Sequence, residues 1–280
     1  MPNTRQAVLF LIDGLRPDAI DQADAPAIHR LVLSGASAAR AVTVSPQLTL
    51  PCIASLFHSQ TPQQHGVVDN VWTPTPRLNP GLFDVIKDSG GSAAAVYSYE
   101  PLRDLGRPES LDFSYYHRHT EPHTDGRELE LAAVAADVLV RDRPTLTFVY
   151  IEIADLAGHG YGWMSPEYLE AVARADRAVE LVLDEVAAAN MMEDTIFLLI
   201  ADHGGHERVH GWHDGPQDAQ EPVPEDCNIP WILSGAGVRK DAVLENEISI
   251  LDCAPTLAHM LGLTIPPAWQ GRVVTEAFEA

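Results

Sequence analysis

Three things are scarce in this chain. Of its 280 residues only Cys52, Cys227 and Cys253 are cysteine, and none sits in a CxxC pair. Three scattered thiols build no disulfide framework, and a reducing compartment suits them best. Basic residues are few: 18 Lys and Arg stand against 40 Asp and Glu, a formal charge of −22. Such a surface repels nucleic-acid backbones and anionic lipid, so neither a nucleic-acid polymer nor a membrane is expected as the main partner. Long apolar runs are missing as well, and none approaches the roughly 20 residues that a membrane-spanning helix needs. The apolar run Val8–Ile12 behind Met1–Ala7 is too short for a secretory core and reads as a first strand. A cytoplasmic protein is expected, with its oligomeric state undetermined.

What is present is length enough for a full core, and α/β folds of this size commonly form one domain. Strands are expected at Val8–Ile12, Ala41–Val44, Gly91–Tyr97, Leu146–Ile153, Thr195–Ile200 and Asn228–Leu233, all short and apolar. Helices are expected at Ala25–Ser34, Ile53–His58, Pro166–Ala189 and Asp252–Gly262. The third has Ser165 as N-cap, Pro166 at its first position, and apolar residues from Leu169 to Val186 at helical spacing. Alternating strands and helices predict an α/β fold, a mostly parallel central sheet with helices on both faces. A single catalytic domain over residues 1–280 follows. Residues 98–126, rich in Tyr, His, Pro and Arg without a clear period, read as a long excursion that serves as lid or substrate selector.

Two short patterns carry the chemistry. Asp155-Leu-Ala-Gly-His159 follows one apolar run, and Asp202-His203-Gly204-Gly205 follows another. Asp and His are costly beside an apolar strand unless something pairs with them. Together they offer a nitrogen-and-oxygen donor set suited to zinc or manganese. Asp13, closing the first strand, joins them, because parallel sheets gather ligands beyond the carboxyl ends of their strands. Taken alone, Asp13-Gly14 would be a turn, and Asp155 with His159 a helix cap beside a surface histidine. Ala157 and Gly158 are read as keeping a small loop, and Gly204 and Gly205 as letting backbone pass close to ions. His203, His206, His210 and His213 crowd one window. His58 and His65 read as packing groups or donors behind the ligands, His29 and His259 as surface or packing residues. His117, His119 and His123 read as exposed. Two ions roughly 4 Å apart can activate a hydroxyl and neutralise a leaving oxygen. The hydroxyl expected is Thr49, before a short helix whose N-terminus offers N–H groups and a positive dipole end. Bound cations also let so acidic a protein accept an anionic substrate.

Six segments extend the pattern in order along nearly the whole chain: Ile12-Asp-Gly-Leu-Arg-Pro-Asp18, Leu48-Thr-Leu-Pro51, His65-Gly-Val-Val-Asp-Asn70, Asp155-Leu-Ala-Gly-His159, Asp202-His-Gly204 and Asp252-Cys-Ala-Pro-Thr256. The set resembles the alkaline phosphatase superfamily, most closely its type I phosphodiesterase/nucleotide pyrophosphatase branch. The resemblance implies two divalent ions, zinc by the histidine ligands with manganese as the alternative. One would lie among Asp13, Thr49, Asp202 and His203; the other would be held by Asp155, His159 and a later histidine, with His210 preferred to His206 and His213. It places Cys52 and Asn70 at the substrate, a small phosphorylated molecule. It implies in-line attack by Thr49, a phosphothreonine, and its hydrolysis by water.

Cys52 departs from the branch, which usually has Asn three residues after the nucleophile. A thiol is a weak donor, so backbone N–H groups would take that part. The chain also lacks the large nucleotide-binding insertions of bigger relatives. Cys52 is followed by Ile53-Ala-Ser-Leu56, without the Pro and Arg that formylglycine formation needs, which disfavours a sulfatase. The expectation is a phosphodiesterase or nucleotide pyrophosphatase. A phosphomonoesterase, a phosphonate hydrolase, a phosphoryl transferase or a non-catalytic phospho-ligand binder are the alternatives.

Overall fold

The computed structural model describes residues 6–72, 79–117, 126–211 and 223–279. Its strands are β1 (Gln6–Ile12), β2 (Gly35–Ala38), β3 (Ala41–Val42), β4 (Ala93–Tyr97), β5 (Phe113–Tyr116), β6 (Leu146–Ile151), β7 (Thr195–Ile200), β8 (Asn228–Ile229), β9 (Trp231–Gly235), β10 (Ala242–Leu244) and β11 (Ile248–Ser249). The helices are α1 (Pro17–Ile20), α2 (Pro26–Ser34), α3 (Thr49–His58), α4 (Pro62–His65), α5 (Leu82–Asp88), α6 (Arg127–Asp142), α7 (Ile153–Tyr161), α8 (Pro166–Ala188), α9 (Pro224–Cys227) and α10 (Cys253–Met260).

An eight-stranded sheet runs β10-β2-β9-β7-β1-β6-β4-β5, and β11-β3-β8 form a small second sheet. β1 lies at the centre, parallel to β6 on one side and β7 on the other, with Ile12 opposite Ile151 and Leu11 opposite Ile200. All seven residues of β1 and all six of β6 and of β7 are buried, which is why these segments read as unbroken apolar runs rather than alternations. Within the large sheet only β9 runs against its neighbours. α2, α6 and α8 pack together, with α6 against β4 and β6 and α2 against β9, while α3, α5 and α10 make a second group. Phe57 of α3 and Phe83 of α5 pack on Phe148 of β6 at ring separations of 5.0 and 6.3 Å, which fixes α3 on the sheet. The N-cap of α8 is as expected, with Ser165 Oγ accepting from Tyr168 N at 3.2 Å.

Several boundaries differ from the sequence reading. α3 begins at Thr49 rather than Ile53, because Pro51 falls in the first turn, where its missing N–H costs no helical bond. Asp155 to His159 is not a loop but part of α7. Asn228–Leu233 is two strands divided at Pro230; the first joins the small sheet and the second enters the large one. Within the excursion, 100–104 is a 3-10 turn and Phe113–Tyr116 is an edge strand parallel to β4. Four residues with half-buried and exposed positions in alternation were too few to register as a period. Residues 118–125 of the excursion, His119 and His123 among them, lie outside the described residues.

Candidate active site

Because β7, β1 and β6 are adjacent and parallel, the three segments that follow them leave the sheet at one edge. Asp13 comes directly after β1 and donates its backbone N–H to Ile151 O at 2.9 Å. Gly14 then turns at a φ of +66°, and a Cβ there would stand 3.0 Å from the Asp155 Cα. Only glycine satisfies both demands at that crossing. Asp155 lies in the first turn of α7, and His159, four residues on, shares its helix face. Asp202 and His203 follow β7.

Asp13, Asp155 and Asp202 are buried at 2, 8 and 0 % exposure, so three carboxylates share one desolvated space. Burial lifts the Asp13 carboxyl well above the usual range, and the charges of Asp202 and Asp155 lift it further. Asp155 is raised likewise by burial, then by Asp202 and Glu152. Asp202 is raised by burial against the opposing pull of His203. One oxygen of Asp13 and one of Asp202 are in use. Asp13 Oδ2 accepts from the buried Tyr150 hydroxyl, and Asp202 Oδ1 accepts from His203 N at 3.0 Å and Gly14 N at 3.3 Å. Asp13 Oδ1, Asp202 Oδ2 and Asp155 Oδ1 are buried with no hydrogen-bond partner among the described residues.

The histidines explain those orphaned oxygens. Nδ1 of His203 faces Gly204 O at 2.9 Å, Nδ1 of His210 faces Gln47 O at 2.8 Å, and Nδ1 of His159 faces Arg208 O at 3.0 Å. A carbonyl can only accept, so each Nδ1 carries a proton, and in the neutral ring Nε2 keeps a lone pair to give. Those Nε2 atoms point at the carboxylates. His203 Nε2 is 3.3 Å from both Asp13 Oδ1 and Asp202 Oδ2. His210 and His159 Nε2 are 3.5 and 3.6 Å from Asp155 Oδ1. Lone pairs facing carboxylate oxygens in a buried space repel, and a cation between them turns every such contact favourable. The residues therefore fit divalent metal, with each imidazole oriented through its far nitrogen. Two groups bring their ligand atoms within 4.8 Å of one another: Asp13 with Asp202 and His203, and Asp155 with His203 and His210. His203 lies between the two, its ring stacked on that of His210 at 3.7 Å.

Thr49, buried to 6 % exposure, opens α3 with its Oγ1 3.4 Å from His203 Nε2. The helix start offers fewer donors than its sequence suggested. Asn70 Oδ1 already accepts from Leu50 N at 2.9 Å, Pro51 has no N–H, and Cys52 N bonds Leu48 O at 3.0 Å. Of that first turn the Thr49 N–H is what remains. The Asn70 amide, held through its oxygen, keeps its NH2 as the donor it can offer. Cys52 is fully buried, its Sγ 3.5 and 3.8 Å from the carbonyl oxygens of Pro46 and Val44. Its thiol is thus turned to backbone and pushed up in pKa by burial.

Gly204 and Gly205 do not make room for ions. A Cβ on Gly204 would strike Glu225 O, and one on Gly205 the indole of Trp163. Trp163 itself escaped the sequence reading. It donates Nε1–H to Gly14 O at 2.9 Å and packs edge-on against His159 and His210 at 5.1 and 5.8 Å. Tyr150, inside an apolar strand, gave no signal either. His210 shares a candidate group with Asp155 and His203, whereas His206, in neither group, has its Nδ1 bonded to Asp226 Oδ1 at 2.7 Å. His213 lies outside the described residues. His65 bonds Ser55 at 2.8 Å within the α3–α4 contact.

Comparison with known proteins shows the family. The profile of the type I phosphodiesterase/nucleotide pyrophosphatase family matches residues 7–240, and the chain belongs to that family, within the alkaline phosphatase superfamily. Venom phosphodiesterase 2 of Crotalus adamanteus is 25 % identical over 220 residues, which cover 71 % of this chain and 27 % of the relative. Human ectonucleotide pyrophosphatase/phosphodiesterase family member 1 is 24 % identical over 226 residues, covering 72 % of this chain and 24 % of that protein. The chain thus spans about a quarter of the length of these curated relatives. Among solved structures, an inactive variant of murine ectonucleotide pyrophosphatase/phosphodiesterase 5 in complex with AMP superposes with a TM-score of 0.80 at 14 % identity, covering 98 % of this chain and all of that one. The phosphonate monoester hydrolase of Silicibacter pomeroyi gives 0.72 at 16 % identity over 96 % of this chain and 75 % of its own. These superpositions show an alkaline phosphatase-like fold.

Proposed function

We propose that the chain is a di-metal hydrolase of small phosphoric esters, of phosphodiesterase or nucleotide pyrophosphatase type, with Thr49 as nucleophile. The observation that carries this reading is the set of buried carboxylate oxygens facing histidine lone pairs beside a single hydroxyl. Asp13, Thr49, Asp202 and His203 would hold one divalent cation and Asp155, His159 and His210 the other, with zinc favoured by the imidazoles and manganese the alternative. When bound, such ions lower the hydroxyl pKa and offset charge at phosphorus and at the leaving oxygen.

The chain's own residues supply the rest. Thr49 Oγ1 attacks phosphorus in line, the P–O bond to the leaving alcohol breaks, and phosphothreonine forms; water then cleaves it and restores Thr49. The Thr49 N–H and the Asn70 amide would hold a non-bridging phosphoryl oxygen as a donor pair. An AMP complex of the murine structural relative supports a small nucleotide-like substrate. The test is turnover of bis-p-nitrophenyl phosphate and p-nitrophenyl phosphate by protein stripped of metal and reloaded with zinc or manganese. Thr49→Ala is expected to lower the faster of the two roughly 10³-fold or more. A variant that keeps its rate removes Thr49 as nucleophile. Reloaded wild type inert to both esters would favour a binding protein.

A further inference from the structure

The segment that delivers His203 and His210 is unusually closed. His206 and Val209 exchange two backbone hydrogen bonds at 2.9 Å around a tight turn, with Glu207 at a φ of +46°. Trp163 N fastens the tip by donating to Glu207 O at 2.7 Å. Both arms of this turn then converge on Asp226, which is 2 % exposed and belongs to α9. Its Oδ1 pairs with His206 Nδ1 at 2.7 Å, ahead of the turn, and its Oδ2 accepts from Gly211 N at 2.9 Å, behind it. Its main-chain oxygen takes Gly204 N at 2.9 Å, and the neighbouring Glu225 O takes Gly205 N at 3.0 Å. One carboxylate therefore spans the arm leaving His203 and the arm leaving His210.

We infer that Asp226 is a positioning residue for the second cation site, with His206 as its strut, and that the pair fixes where His210 presents Nε2. The inference rests on the metal reading above. Asp226 is not itself a ligand, because both of its oxygens are spent on the turn and it belongs to neither candidate group. His206 is likewise in neither candidate group, and its Nδ1 holds the clamp. Releasing either member lets the arm carrying Gly211 move relative to Gly204, so the 3.7 Å stacking of His203 on His210 is no longer imposed. A clamp of this kind alters binding at Asp155, His159 and His210 while leaving the Asp13, Asp202 and His203 group in place.

The experiment loads wild type, Asp226→Asn and His206→Ala with Co2+ and follows visible absorption and stoichiometry on the full chain. Wild type is expected to take up two ions. Both variants are expected to bind one of them at least tenfold more weakly, with loss or displacement of that ion's absorption bands. The partly exposed His206 makes His206→Ala the variant that decides if Asp226→Asn fails to fold; apo melting checks that its fold is intact. Two ions bound by His206→Ala with wild-type affinity and spectrum overturn the clamp and leave the metal reading standing. Wild type that binds no Co2+ overturns both.

Discussion

The hydroxyl of Tyr150 donates to Asp13 Oδ2 from a site without solvent access, so its removal leaves a buried carboxylate oxygen unpaired. Tyr150→Phe is expected to cost the metal-free protein about 1–3 kcal/mol in urea unfolding. It also frees Asp13 to rotate, so zinc competition titrations should show weaker binding at the group Asp13 shares with Asp202 and His203. An unchanged urea midpoint would show that the bond contributes nothing to stability. Residues of this kind are hidden from sequence because a tyrosine inside a buried strand has the same pattern as any other core aromatic. Asp13, Asp155, Asp202 and His203 were legible for the opposite reason: their polarity interrupts apolar runs. The glycines at 204 and 205 were legible as a close approach but not as to what approaches, since sequence does not say that an indole fills the space.

Among the elements, α2 starts without a side-chain cap of its own, at Ala25. The missing acceptor comes from α8, where buried Asp176 takes Ala27 N at 3.1 Å and Ile28 N at 2.7 Å. Asp176→Ala should therefore cost about 1–3 kcal/mol, from the lost cap and two N–H groups left in the core. Urea unfolding checks the magnitude, and turnover per folded molecule should not move. A loss below about 0.5 kcal/mol would mean that water replaces the carboxylate. Caps borrowed across 148 and 149 positions explain why α2 was foreseen from its own pattern while its support was not. The same division holds for the sheet. β1, β6 and β7 were plain, being buried on both faces, and their shared direction followed from the intervening helices. β5 was invisible because an edge strand of four residues offers no run and no period, and α7 because Ala157 and Gly158 suggested a small loop. Gly158 is there for Trp163, whose ring would lie 2.5 Å from a Cβ.

For the molecule as a whole, a charge of −22 and three aspartates buried together set the response to pH and metal. An aspartate whose folded pKa is raised binds more protons in the folded state than in the unfolded chain. Its contribution is full below about pH 4, where the unfolded aspartates titrate, and is lost as pH rises through the folded value. His65 works the other way. Burial and the neighbouring His58 lower its pKa to about 4, so its contribution is complete above the unfolded value near pH 6.5 and falls away in acid. Metal-free protein should thus be most stable in mild acid and weaken toward pH 8. Bound cations reverse the aspartate contribution, because they reward the ionised form. The melting-temperature gain on adding zinc to chelator-treated protein should therefore grow with pH between 5.5 and 8. At a free ion level about 100-fold above Kd, each site adds about 2.7 kcal/mol, or roughly 5 °C for a chain of this size. A gain that stays constant across that range, or shrinks with rising pH, would mean the three aspartates are not what the ion meets.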